Sequence, residues 1–151
     1  MLFPVGRLRP ARTRLLIATH QALVRAVSVV RDGARVAEVS NTIAQALKSA
    51  SLQPSADFVG YRISTVPRDV PRIPCDDPGP DGHVVLREGM VLAVIVLAHE
   101  GSSTLRVTPD GWGVVSLDSS DSALFSHMVL VQSDGGHVLT DSARLRSRFD
   151  R

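Results

Sequence analysis

At 151 residues, 44% of them hydrophobic, the chain can build one proper core and no more. Its single cysteine, Cys75, excludes an internal disulfide and a cysteine-based zinc site, and no apolar run approaches the roughly eighteen residues of a membrane span. The formal charge of +2 divides unevenly, about +7 over residues 1–72 and −5 over 73–151, but one Trp, one Tyr and four Phe are a poor stacking surface, which disfavours nucleic acid.

Residues 2–6 could form a short strand, too brief an apolar run for a secretory leader, so a cytoplasmic protein is expected. From Arg12 to Arg31 the apolar residues Leu15, Leu16, Ala22, Leu23, Ala26, Val27 and Val30 recur at helical spacing. Asp32-Gly33 is a stop, because glycine accepts the left-handed conformation. A second helix is predicted over 36–50, with Val36, Val39, Ile43 and Leu47 on one face. Each helix carries a single apolar stripe and should lie on a sheet. Phe58 to Val66 reads as a strand. Pro67 to Pro80 holds five prolines in PRDVPRIPCDDPGP and is predicted to be irregular. Short strands follow at 83–87, 90–98, 103–108, 111–117, 123–132 and 136–139, separated by Gly- and Asp-rich turns. Met90 to Ala98 is uncharged and rich in Val, Leu and Ile, the pattern of a strand buried on both faces. The tail beyond Thr140 is charged and expected to fray. The order gives an α+β fold: two helices, then a mainly antiparallel sheet, in one domain over 1–151.

Few motifs carry chemistry. His99-Glu100 lacks the second histidine of a zinc-protease helix. Ser126-His127 are neighbours in a strand, so their side chains point to opposite faces and cannot pair as nucleophile and base without a bulge. Cys75 stands beside Asp76 and Asp77, which oppose a thiolate. Tyr61, Arg62 and Arg68 are better candidates: arginine clamps carboxylates and phosphates, and tyrosine donates a hydrogen bond. Trp112 is a candidate cavity wall.

Phe58-Val59-Gly60-Tyr61-Arg62-Ile63, Glu88-Gly89-Met90-Val91, Asp110-Gly111-Trp112, Ser122 to His127, Asp134-Gly135 and Leu139-Thr140 keep one register, which resembles the carboxy-terminal half of methionine aminopeptidases and their creatinase relatives, the pita-bread fold. The resemblance implies half of a pita-bread fold, with two helices packed on a curved sheet. It also implies what has been replaced. The family holds two divalent metals with two Asp, a His and two Glu. Both Asp positions fall before residue 1, the His falls on Tyr61, and the two Glu on Ile95 and Ser126. A further substrate-contacting His falls on Arg68, and His127 stands where the family also has His.

The expectation from these residues is a truncated, metal-independent descendant without peptidase activity. It would bind a small molecule or a protein through the relict cleft, with no cofactor and no metal. The alternative is a metal-free acid–base enzyme, a cyclase, isomerase or lyase, using Tyr61, Arg68 and His127. In either case Arg62, Ile95, Trp112 and Ser126 would line the cleft. An uncovered apolar face would call for a symmetric homodimer, with a heterodimer of this chain and a first-half polypeptide as the lesser choice.

Overall fold

In a computed structural model, which describes residues 7–66 and 68–140, α1 runs over Pro10–Ser28 and α2 over Val36–Ser49. Pro10 opens α1 at a position where a missing N–H costs nothing. The Glu38 side chain accepts the backbone N–H of Arg35 (3.0 Å), satisfying a donor at the start of α2. Between the helices Gly33 adopts φ +81°, and the Asp32 carboxylate accepts the Glu88 N–H (3.0 Å), which ties the helix pair to the sheet. Leu15, Ala22, Leu23 and Ala26 of α1 and Val36, Val39, Ile43 and Leu47 of α2 are buried in one cluster.

The sheet is antiparallel throughout. Its path is β3 (Asp69–Ile73), β2 (Gly60–Ile63), β4 (Val91–His99), β7 (Ser122–Val131) and β8 (Gly136–Val138), and β1 (Gln53–Pro54) pairs with the far end of β4. β5 (Leu105–Val107) and β6 (Val114–Ser116) form a separate hairpin. The alternation along β4 assigns its two faces. Leu92, Val94, Val96 and Ala98 are 0% exposed and belong to the core with the helices. Val91 and Ile95, of opposite parity, are only half-buried on the other face. The register then places Tyr61 beside Ala93, Met128 across from Ala93, and Ser126 across from Ile95, all on this second, open face.

Three sequence expectations change. The proline-rich segment is not wholly irregular: it contains β3, which tolerates Pro71 because it is the edge of the sheet. Residues predicted as a strand at 83–87 follow a 3-10 turn (Gly79–His83), and only Val85 makes a bridge, to Arg35. β1 was too short for its pattern to register in the sequence. The predicted strand at 2–6 and the tail beyond Thr140 lie outside the described residues.

Candidate functional site

Gly60 sets the geometry of the open face. A Cβ there would stand 2.5 Å from the Ala93 carbonyl oxygen and 3.2 Å from the Ile73 Cβ, so only glycine lets β2 lie this close to β4. The next residue, Tyr61, is paired with Arg72 on one side and Ala93 on the other. Arg68 is held at φ +55°, a left-handed conformation uncommon for a residue with a side chain. Around them lies a cavity of about 280 Å³ lined by Asp57, Phe58, Val59, Tyr61, Arg68, Arg72 and Ile95. It combines two guanidiniums, one carboxylate and one phenol with an apolar wall. A larger hollow of about 610 Å³ lies against α1, lined by Arg14, Gln21, Ser51 and Glu100 among apolar residues, and holds none of the candidates read from the sequence.

The floor of the cavity is firm. β4 is paired with β2 over 91–93 and with β1 over 98–99, which leaves its edge between them without a strand partner. Cys75 closes part of that gap: its buried thiol donates to the Ile95 carbonyl (Sγ···O 3.3 Å), and Ser55 N–H donates to the Leu97 carbonyl (3.0 Å). Burial pushes the Cys75 thiol up to about 11, so it is a structural donor and a poor nucleophile at neutral pH.

The candidates read from the sequence separate into three groups. Tyr61, Arg68 and Ile95 meet in the cavity. Ser126 lies on the same face, next to Ile95, and is exposed. Arg62 turns away. It forms an ion pair with Asp69, whose carboxyl is held below the usual range by that guanidinium and by the Ser64 hydroxyl (2.8 Å). His127 is opposite Val94 and therefore on the helix-covered face, with Nδ1 3.0 Å from the Thr140 hydroxyl. It does not reach Tyr61 or Arg68. Trp112 is 91% exposed at the tip of the β5–β6 hairpin, where Asp110 accepts its backbone N–H (3.1 Å), so it walls no cavity. Asp57, Phe58, Val59 and Arg72 escaped the sequence reading. The alternation of β2 pointed to the Tyr61 face, but Arg72 could be placed there only once β3 was known to exist.

The profile of metallopeptidase family M24 matches residues 1–133. The chain belongs to this family. It is 30% identical over 138 residues to methionine aminopeptidase B of Synechocystis sp., covering 91% of this chain and 50% of that protein. It is 31% identical to mitochondrial methionine aminopeptidase 1D of Homo sapiens, over 91% of this chain and 41% of that one. Among solved structures, methionine aminopeptidase from Thermotoga maritima superposes with a TM-score of 0.83 at 32% identity, over 90% of this chain and 54% of its own. Prolidase from Pyrococcus furiosus, 18% identical with a TM-score of 0.66, shares the fold. The chain spans about half the length of the curated relatives it matches.

Membership corrects several expectations. The M24 chain is a continuous domain-level match over about nine-tenths of its residues, not a carboxy-terminal half known by scattered motifs. Over nine-tenths of its own length it superposes on the pita-bread-type α+β fold, two helices packed on an antiparallel sheet, and this match replaces the expectation of half a fold. Similarity to methionine aminopeptidases at 30–32% identity also overturns the reading as a non-peptidase, metal-free descendant or metal-independent enzyme. "Pseudoenzyme", "truncated domain" and "metal-independent" fall with it.

The donor chemistry of the open face is a separate matter. A divalent pair wants bridging carboxylates, whereas Tyr61, Ile95 and Ser126 offer a phenol, a hydrocarbon and a hydroxyl. Among the described residues there is no group of three or more His, Cys, Asp or Glu that could hold a metal ion. These residues do not fit a two-metal site, and no hydrolytic step can be assigned to a metal held by them. Among the described residues, no helix is long and apolar enough to cross a membrane.

Proposed function

We propose that the protein acts on the amino-terminal end of short peptides, the substrate class named for its methionine aminopeptidase relatives. The observation that carries this reading is the cavity over Tyr61, where Asp57 shares an enclosure with an apolar wall of Phe58, Val59 and Ile95. A peptide's first residue presents a cationic ammonium beside an uncharged side chain. Asp57 can accept from the ammonium, the apolar wall can take the side chain, and the Tyr61 hydroxyl can donate to the first carbonyl. What these groups supply is binding and orientation. Cleavage requires groups beyond the described residues, since those present do not form a metal centre.

The open face also bears Leu124 (44% exposed) and Met128 (37% exposed) flanking Ser126. We infer that a second copy of this chain covers it, because Leu124 and Met128 leave an exposed apolar patch on one face of the sheet. Sedimentation at tens of micromolar giving only monomer would remove this part of the reading. The compartment we assign is the cytoplasm, since a lone buried thiol and no disulfide suit reducing conditions.

The functional experiment measures release of methionine from Met-Ala-Ser by the purified protein, with and without added divalent metal, alongside calorimetric binding of the same peptide. Binding that weakens about ten-fold or more in Asp57→Asn, as expected for losing a charge-assisted contact, supports the proposal. No binding and no release under any condition refutes it.

A further inference from the structure

The two arginines of the cavity have no acidic partner. Among the described residues the ion pairs are Arg12–Asp121, Arg31–Glu38, Lys48–Asp76 and Arg62–Asp69, which leaves the guanidiniums of Arg68 and Arg72 without one. Arg72 reaches the cavity from β3 as the direct cross-strand neighbour of Tyr61, and Arg68 reaches it from the preceding turn, at φ +55°. Backbone held in that region by a residue with a Cβ marks a place where the surroundings over-determine the conformation. Against two cations the lining offers one carboxylate, Asp57. The cavity lining itself therefore carries a net positive charge; Asp81 accepts the Arg72 backbone N–H (2.8 Å) but makes no ion pair with its guanidinium.

We propose that this pair is a carboxylate-binding subsite, so that the preferred ligand is a peptide carrying a carboxylate one residue beyond its amino end. The inference rests on the amino-end reading above and narrows its substrate class. Two planar guanidiniums present forked donors that match a carboxylate, which leaves the single Tyr61 O–H proton for the first carbonyl. With Asp57 taking the ammonium, the cavity complements a zwitterion: acid for the amino end, base for the carboxylate, apolar wall for the side chain between. A volume of about 280 Å³ lies at the lower end of ligand pockets and suits one or two residues rather than a long peptide. The carboxylate has two possible sources, the free carboxy terminus of a dipeptide or an acidic side chain at the second position. Both arginines are solvent-exposed, so the interaction weakens with salt.

The test is calorimetric titration of the full chain at low salt with Met-Ala, Met-Ala amide, Met-Asp amide and N-acetyl-Met-Ala, repeated on Arg72→Gln and Arg68→Gln after circular dichroism establishes folding. Met-Ala binding about ten-fold or more tighter than its amide, with the gap abolished in Arg72→Gln, is the expected result. Met-Asp amide rivalling Met-Ala assigns the subsite to side-chain carboxylates, and its behaving like Met-Ala amide assigns it to chain termini. Equal affinity for Met-Ala, Met-Ala amide and Met-Asp amide overturns the subsite while leaving the amino-end reading intact. Arginine-dependent binding of N-acetyl-Met-Ala as tight as that of Met-Ala keeps the subsite and sinks the amino-end reading. No binding of any of the four removes both.

Discussion

Replacing Gly60 with alanine probes the contact on which the open face is built. The added Cβ would meet the Ala93 carbonyl at 2.5 Å, the Ile73 Cβ at 3.2 Å and the Ile95 backbone nitrogen at 3.3 Å. Two of those three are main-chain atoms of β4, so relief requires β2 and β4 to move apart, not a side chain to swing. Overpacking of this kind costs about 1–3 kcal/mol. For a chain of this size each kcal/mol lowers Tm by about 2–4 °C, so Gly60→Ala should melt roughly 2–12 °C below the parent. Because Tyr61 follows directly and pairs with both Arg72 and Ala93, the same shift should loosen the cavity and weaken peptide binding. Urea unfolding followed by circular dichroism, paired with calorimetry, measures both effects. A variant within about 0.5 kcal/mol of the parent, the usual scatter of surface changes, would refute the close approach of β2 and β4.

Leu92→Ala, which truncates a 0% exposed side chain in the central strand, should cost about 2–5 kcal/mol in the same unfolding experiment. Trp112→Ala removes a residue that is 91% exposed and should change stability by less than about 0.5 kcal/mol; a loss above 1 would mean that the hairpin tip packs against something. Cys75 predicts an alkaline limit. Its thiol stays protonated in the folded chain up to about 11 against an ordinary 9.0, so the unfolded chain releases the proton first and stability falls as pH rises through that window. The loss reaches about 2–3 kcal/mol by pH 11 and should be missing from the difference curve of Cys75→Ala, whereas parallel curves would contradict the burial argument.

Both helices were legible because their apolar residues repeat at a spacing only a helix satisfies, and β4 and β7 because long branched runs have few other fates. β3 was not, since five prolines in fourteen residues outweighed the one circumstance that admits proline to a sheet, an edge position that local sequence does not encode. The site was half-legible for the same reason. Tyr61 and Ile95 belong to strands whose register could be read, Arg68 was placed by the family resemblance, and the structure gathers the three. Arg72 comes from β3, whose pairing with β2 the local sequence does not encode, and Asp57 from an unpaired bend before β2. His127 and Ser126 illustrate the strength of period-two reasoning: one residue apart, they occupy opposite faces of the sheet. Replaced residues at a few positions suggested a fragment that had left peptidase chemistry, whereas identity spread over nine-tenths of the chain places it within a peptidase family.

The central claim, that the Tyr61 cavity receives the amino end of a peptide, is tested most directly by comparing Met-Ala-Ser with its N-acetylated form in a single calorimetric series. Acetylation, which removes the charge Asp57 would meet, should weaken binding about ten-fold or more, and Asp57→Asn should erase the difference. Equal affinity for the two peptides would contradict it.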